Sequence, residues 1–77
     1  MSNVEEELRL ETIKWIKKAE EKFSEIREEN NFVVNAKAYL KDSKWFLEKG
    51  ELIKAFECII WAWAWIEIAE EIGLIKN

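Results

Sequence analysis

Residues 55–66 of this 77-residue chain read AFECIIWAWAWI and hold three of its five tryptophans. An α-helix turns by about 100° per residue, so Trp61 and Trp65 share one face while Trp63 points nearly the opposite way. A helix that is apolar on all sides is expected to be buried on all sides. The stretch therefore predicts a helix that packs against other elements on more than one face.

One tryptophan face is expected to remain uncovered within a single copy of the chain. Two neighbouring helices in a small bundle cover only part of a third. A second copy of the chain is the simplest partner for this face, because aromatic residues anchor interfaces and exposed apolar patches indicate partners. Either Trp63 or the pair Trp61 and Trp65 then lines a homodimer interface. Two interpretations stay open beside this one: large core residues that fill a small domain, and a pocket between helices for a flat or apolar ligand.

Two glycines indicate where helices end. Gly50 and Gly73 are the only glycines in the chain, and each stands where a left-handed C-terminal cap is expected after an apolar stripe. The tryptophan-rich helix 3 is therefore predicted over about residues 52–72. The stripe before Gly50 predicts helix 2 over about residues 32–49.

A further apolar stripe lies near the N-terminus. Ser2 followed by Glu5 is a capping-box pattern, and the amide pair Asn30-Asn31 tolerates left-handed or turn conformations. Between these signals, apolar residues recur every three to five positions at Val4, Leu8, Ile13, Ile16, Ala19, Phe23 and Ile26. Helix 1 is therefore predicted over about residues 4–29.

Length and composition indicate one all-α domain over residues 1–77. Chains of this size hold a single core, and the absence of proline with only two glycines leaves an all-β fold without its turn residues. Short loops make consecutive helices antiparallel. We therefore expect an up-down-up three-helix bundle with a long N-terminal helix, paired as a dimer.

The residue types argue against catalysis and metal binding. There is no histidine, which removes the usual general base and the commonest metal ligand. The single cysteine, Cys58, allows neither an intrachain disulfide nor a Cys-x-x-Cys zinc site. It lies in an apolar stretch, so a small buried residue is expected rather than a nucleophile. We expect no enzyme, no cofactor and no metal.

The net charge of −4 and the pI of about 4.9 make a nucleic-acid partner unlikely, because phosphate binding requires a positive surface. Lys37, Lys41 and Lys44 form a basic stripe on helix 2, which we interpret as a solvated face. Docking of this stripe to an acidic partner or to nucleic acid is the alternative. Three lysines in an acidic chain are few for that role.

Neither a membrane span nor export is expected from the sequence. Its longest apolar run, residues 58–66, is far shorter than the roughly 20 residues that span a bilayer. The first residues are acidic where a signal peptide is basic and then apolar. A cytoplasmic location is the simplest expectation. The bias towards glutamate, lysine and isoleucine favours a thermophilic source.

Tyr39, Asp42 and Glu67 are polar residues near apolar stripes. Buried tryptophan and tyrosine need partners for their N–H and O–H groups, and carboxylates accept such bonds well. We interpret Asp42 and Glu67 as structural acceptors of this kind. The alternative is a small-molecule or metal site between helices 2 and 3, formed by these three residues.

Two motifs resemble the small archaeal family called domain of unknown function 357. Residues 39–50, YLKDSKWFLEKG, are similar to its Tyr-x-x-Asp-Ala-x-aromatic-Phe pattern with a following Gly-Asp step. Ala55-Phe56 and residues 61–67, WAWAWIE, resemble its Ala-Phe and Tyr-Ala-His-Gly-Trp-Leu-Asp stretches. The resemblance covers residues 36–74.

The chain departs from that family pattern at four positions: Glu51 for Asp, Trp63 for His, Ala64 for Gly and Glu67 for Asp. The resemblance implies a short archaeal helical protein without an established activity, so no catalytic residue is carried over. It marks Tyr39, Asp42 and Trp65 as positions that match the motif, and Glu67 as a motif position where the acidic character is kept. The expected function is a non-enzymatic interaction module that self-associates through helix 3.

Overall fold

Three α-helices, α1 (Val4–Ser24), α2 (Asn31–Glu48) and α3 (Leu52–Glu71), make up the secondary structure of the computed structural model, which describes residues 3–76. No strand lies within that range. The molecule measures 43 × 21 × 18 Å, so the helices lie along one common direction. The all-α prediction is confirmed.

The start of α1 is set by Asn3. Its Oδ1 accepts a hydrogen bond from the backbone N–H of Glu6 at 2.7 Å, and the first turn carries Glu5, Glu6 and Glu7 at the positive end of the helix dipole. The capping box predicted at Ser2 lies outside the described residues. Helix 1 begins where the stripe predicts.

The end of α1 differs from the prediction. The helix stops at Ser24, five residues before the predicted residue 29, and residues 26–29 are not helical. Ile26 packs there against the core cluster that contains Val33 and Ile75. Asn30 lies in a bend with a φ of −87°, and its side chain accepts from the Val33 N–H as the N-cap of α2.

The segment before α2 is held by the C-terminus. Asn30 Nδ2 donates to the Leu74 carbonyl at 2.8 Å, and the Lys76 N–H donates to Glu28 Oε2 at 2.9 Å. The Lys76 bond lowers the pKa of the Glu28 carboxyl below its usual value. These contacts span 44 and 48 residues, so they are tertiary.

Both predicted glycine caps are confirmed. Gly50 and Gly73 have φ values of 77° and 81°, the left-handed region that glycine enters without a Cβ penalty. After α2, the Glu51 N–H donates to the Phe46 carbonyl at 3.0 Å, and after α3 the Leu74 N–H donates to the Ala69 carbonyl at 2.8 Å. The observed ends of α2 and α3 fall within one residue of the predicted ones.

The helices α2 and α3 pack tightly through small residues. We call the buried stripe of α3 its inner seam: Leu52, Ala55, Ile59, Ala62, Ile66 and Ala69. Its residues alternate in steps of three and four, the spacing of helix–helix seams. Ala36 and Ser43 of α2 are fully buried, and Ser43 Oγ donates to the Ala55 carbonyl at 2.7 Å. Small side chains let the two backbones approach.

The first helix packs on one side of the α2–α3 pair. Ile16 and Ala19 of α1 join Ile59 and Ala62 of α3 in one core cluster. An ion pair between Lys22 and Glu70 connects the C-terminal ends of α1 and α3, so these two helices run parallel. The packing is that of an up-down-up bundle. Within residues 3–76, none of the helices is long and apolar enough to cross a membrane.

Candidate functional site

Trp63 is engaged inside the fold. Its ring contacts Trp15 of α1 edge to face, with 5.8 Å between the ring centroids and 80° between the planes. Its Nε1 donates a hydrogen bond to the Trp15 carbonyl at 3.2 Å. Both side chains are half-buried. Trp63 therefore covers the side of α3 on which α1 packs.

Trp61 and Trp65 lie on the other side of α3, against α2. Trp65 meets Phe32 at 5.2 Å and 72°, and Trp61 stacks on Tyr39 at 6.2 Å and 23°. Trp61 nevertheless stays 55% exposed. Of the two tryptophan faces, the one with Trp61 and Trp65 is therefore the more open, because Trp61 is the most exposed of the three rings.

The open side is ordered as a second seam on each helix. The outer seam of α3 comprises Lys54, Cys58, Trp61, Trp65, Ile68 and Ile72. The outer seam of α2 comprises Phe32, Asn35, Tyr39, Asp42 and Phe46. Both alternate in steps of three and four, as the inner seam does. We call the two outer seams together the aromatic face.

The aromatic face is apolar along most of its length. Ile68 and Ile72 are 48% and 56% exposed, beside the half-buried Phe32 and Trp65. Its two charged members, Asp42 and Lys54, lie towards the end where α2 joins α3, and Lys54 Nζ sits 5.6 Å above the Phe46 ring. Large exposed apolar side chains in one patch are unusual on a monomer.

Sequence reasoning missed Phe32, Ile68 and Ile72 as members of this face. The signal was present, because the three-and-four spacing continues from residue 54 to residue 72 beside the inner seam. The sequence prediction for this helix names only its three tryptophans, the last of which is Trp65. Two parallel seams on one helix are the pattern that finds the whole face.

Of the predicted polar group, Tyr39 and Asp42 share the outer seam of α2, whereas Glu67 lies elsewhere. The exposed Asp42 also lines a shallow depression beside Trp45. The exposed Glu67 lines a different one, between Ile60 and Trp63, which shares no residue with the first. Within residues 3–76, no three acidic or cysteine side chains converge in a way that could hold a metal ion.

The carboxylates expected to accept indole N–H bonds are not the acceptors. Trp15 Nε1 donates to Glu11 Oε1 at 3.2 Å, and Trp63 uses a backbone carbonyl. The hydrogen bond from Lys14 to Glu11 is the main cause that lowers the pKa of this carboxyl. The buried Trp65 Nε1 has no acceptor among residues 3–76.

The lysine stripe of α2 is divided between two environments. Lys44 pairs with Glu20 of α1 at 2.7 Å across an exposed surface. Lys37 and Lys41 are exposed, and neither forms an ion pair within residues 3–76. The stripe is thus largely solvated, and one ion pair, between Lys44 and Glu20, connects α2 to α1.

Cys58 lies on the aromatic face in a half-buried position. Burial is the main cause that raises the pKa of its thiol above the usual value, and the negative charges of Asp42 and Glu57 raise it further. The thiol is therefore protonated and weakly nucleophilic near neutral pH. The sequence predicts a buried Cys58, whereas the structure leaves it half-buried.

We expect Asp42→Asn to shift the pH midpoint of Cys58 alkylation by iodoacetamide to lower pH. A neighbouring carboxylate disfavours the thiolate, so neutralising it lowers the thiol pKa. Glu48→Gln, also on α2, is the control and should leave the midpoint in place. Equal midpoints for the wild type and Asp42→Asn would separate Asp42 from Cys58.

Another depression, which is largely apolar, lies at the end of the bundle where α1 begins and α2 joins α3. Val4 and Leu8 of α1 and Leu52 and Ile53 of α3 line an open groove of about 760 Å³. Its charged neighbours, Glu51 and Lys54, pair with each other at 3.3 Å. Glu5 and Glu57 also line the groove.

A family model described as a protein of unknown function, DUF357, matches residues 2–75. The chain belongs to the DUF357 family. The family resemblance seen in residues 36–74 is confirmed and extends over nearly the whole chain. Because the family description states no activity, it assigns no role to Tyr39, Asp42, Trp65 or Glu67.

A solved DUF357 structure has the same fold. The crystal structure of protein AF1782 from the archaeon Archaeoglobus fulgidus superposes with a TM-score of 0.93 at 51% sequence identity. The match covers 97% of this chain and 99% of that one. No curated protein matches the chain. The comparisons therefore establish family and fold.

Proposed function

We propose that this DUF357 chain is a non-enzymatic, cytoplasmic interaction module that forms a homodimer through the aromatic face. The observation that carries the proposal is the second seam on both α2 and α3. The inner seam of α3 is buried against α2 and α1, whereas the two outer seams have the same spacing and consist of exposed and half-buried side chains. Helix seams of this spacing serve to pack against other helices.

Three large apolar side chains of the aromatic face are exposed: Trp61, Ile68 and Ile72. Fully burying a large apolar side chain contributes about 1.5–3 kcal/mol. Each of the three keeps roughly half of its surface in water. Covering them would contribute a few kcal/mol to association, and aromatic residues at the centre of a patch are typical hot spots.

A second copy suits this surface better than an unrelated ligand does. The helices α2 and α3 form an antiparallel pair, and two such pairs packed face to face make a four-helix bundle. The helix α1 lies on the far side of each pair, where it does not obstruct the contact. Homodimer interfaces are also more apolar than other interfaces, and the aromatic face is apolar along most of its length.

The test is the molar mass by light scattering across a dilution series. We expect a mass near twice 9.2 kDa for the wild type. Trp61→Lys and Ile68→Lys should raise the dimer Kd about thirtyfold or more, the factor that a hot-spot loss of about 2 kcal/mol implies.

Leu10→Lys is the matched control. Leu10 is 60% exposed on α1, away from the aromatic face, so the same added charge should leave the Kd unchanged. A wild-type monomer at all concentrations, or equal effects of all three variants, would contradict the proposal. The small-molecule or metal alternative at Tyr39, Asp42 and Glu67 has no comparable observation behind it.

A further inference from the structure

Two depressions of the surface lie along one groove between α1 and α3. The first has a volume of about 760 Å³ and the second a volume of about 240 Å³. Residues of both helices line each depression, and the two helices run parallel. We call the whole feature the α1–α3 groove, whose apolar lining includes Val4, Leu8 and Trp15 of α1 and Ile53, Ile60 and Ala64 of α3.

The apolar lining repeats after seven residues on both helices. Leu8 and Trp15 have this separation on α1, and Ile53 and Ile60 have it on α3. Seven residues make about two helical turns, or about 10 Å of helix length. Because the helices are parallel, the second depression follows the first along the groove. The groove therefore offers two apolar sites about 10 Å apart.

The walls of the groove are open to solvent. Val4 and Ile53 are 79% and 70% exposed, the two highest values among the large apolar side chains of residues 3–76. Ile60 is also exposed. Small-molecule sites enclose most of the surface of their ligand, which walls as open as these do not. An elongated occupant that covers both sites at once fits this shape better.

The charges of the groove are mostly negative. Five charged residues line the two depressions: Glu5, Glu51, Lys54, Glu57 and Glu67. Lys54 pairs with Glu51 at 3.3 Å. The other three glutamates are exposed, and none of them forms an ion pair within residues 3–76. Because charges across an interface are complementary, these carboxylates favour a basic occupant.

Two lysines of α1 stand beside the groove and are already engaged. The Nζ atoms of Lys14 and Lys18 lie 5.4 and 4.7 Å from the centroid of the Trp15 ring, and Lys14 also pairs with Glu11. Both lysines belong to α1, whereas two of the three unpaired carboxylates belong to α3. The basic side chains of an occupant are therefore expected on its side towards α3.

We infer that the α1–α3 groove binds an amphipathic helix of a partner protein. This helix carries two large apolar side chains seven positions apart, one for each depression, with lysine or arginine on the side that faces α3. Helices that dock in apolar grooves are anchored by side chains at this spacing. A helix antiparallel to both α1 and α3 would make a four-helix bundle with the three helices of the chain.

The groove is separate from the aromatic face. Ile60 and Trp61 are neighbours in sequence, so their side chains point about 100° apart around α3. Ile60 lines the groove, whereas Trp61 belongs to the aromatic face. Binding of a partner helix in the groove therefore does not require the homodimer, and the two surfaces can be tested independently.

Two designed peptides test the inference by fluorescence anisotropy. The first is an amphipathic helix of about three heptads, with leucine at the a and d positions and lysine at e and g. The second is identical except that glutamate replaces each lysine. The Kd of the lysine peptide is expected to be at least tenfold lower than that of the glutamate peptide. Added salt should narrow the difference, because it screens exposed charges.

Substitutions in the groove should weaken binding of the lysine peptide. Ile53→Ala and Ile60→Ala each remove an exposed apolar contact, and each should raise the Kd about tenfold. Glu57→Gln should raise it about threefold, as expected for an exposed ion pair. Leu10→Ala and Glu21→Gln are the matched controls. Both change exposed residues of α1 outside the groove, so the Kd should stay the same.

Several results would overturn the inference. Among them are equal affinities for the two peptides, no binding of either peptide, and control variants that weaken binding as much as the groove variants do. Binding that Ile68→Lys abolishes and Ile53→Ala leaves intact would place the peptide on the aromatic face. A wild-type mass above that of a dimer, reduced by Ile53→Ala, would assign the groove to a further copy of the chain instead of a partner protein.

Discussion

Ile59→Ala is expected to lower the free energy of unfolding by about 3–5 kcal/mol. Ile59 is fully buried, and Ile16, Ala19 and Ala62 surround it where α1 meets α3. Removing a buried isoleucine side chain loses its transfer free energy and leaves a cavity, for a total of about 2–5 kcal/mol. The free energy of unfolding of a whole domain is about 5–15 kcal/mol, so this one substitution removes a large share of it. Urea denaturation followed by circular dichroism measures it.

Ile53→Ala is the control for this prediction. It is the same substitution on the same helix, but Ile53 is 70% exposed. The free energy of unfolding should change by no more than about 0.5 kcal/mol. Similar losses for the two variants would mean that the inner seam of α3 is not the core of the fold.

The limits of α2 and α3 could be predicted because local chemistry sets them. Gly50 and Gly73 adopt positive φ angles that other residues avoid, and their cap hydrogen bonds join residues of the same turn. No distant part of the chain is needed. A pattern within a few residues is then sufficient.

The limit of α1 could not be predicted in the same way. No glycine or proline follows Ser24 within the linking segment, so the apolar spacing runs on to Ile26. The chain leaves the helix because Ile26 joins the core and because Asn30 and Glu28 bind the C-terminal residues. Contacts across more than 40 positions override the local helical pattern.

In the candidate site, too, one feature could be predicted from local sequence and another depended on tertiary contacts. The helical turn angle alone separates Trp63 from Trp61 and Trp65, so two tryptophan faces were predictable. Which face stays open depends on the side to which α1 packs, and that side is set by the contact between Trp15 and Trp63. A single helix does not encode it.

The roles expected of Asp42 and Glu67 failed for a related reason. Both follow an apolar residue closely in sequence, yet both carboxylates face solvent. The indoles of Trp15 and Trp63 bind nearer acceptors, namely Glu11 one turn away and the Trp15 backbone, and the buried Trp65 Nε1 has no acceptor among residues 3–76. Acceptors that lie within a turn, or on the facing backbone, are bonded before a carboxylate elsewhere can compete.

A tryptophan that serves the fold should differ in effect from one that serves an interface. Because dimer formation adds to the measured stability by mass action, the two effects must be separated. The Ile68→Lys background, expected to be monomeric, provides the means. Fold stability is measured there, and dimer affinity is measured without that substitution.

Trp63→Ala is expected to lower the free energy of unfolding by about 3 kcal/mol in the Ile68→Lys background. The half-buried ring loses its contact with Trp15 and the hydrogen bond to its carbonyl, and burying a tryptophan contributes about 3–5 kcal/mol when complete. Trp61→Ala removes a ring that is 55% exposed, so it should lower the free energy of unfolding clearly less than Trp63→Ala does in the same background. Without the Ile68→Lys substitution, Trp61→Ala should raise the dimer Kd more than Trp63→Ala does. This ranking is expected because a ring already packed on α1 has little surface left to offer a second copy. The reverse ranking would place Trp63 at the interface and Trp61 in the fold.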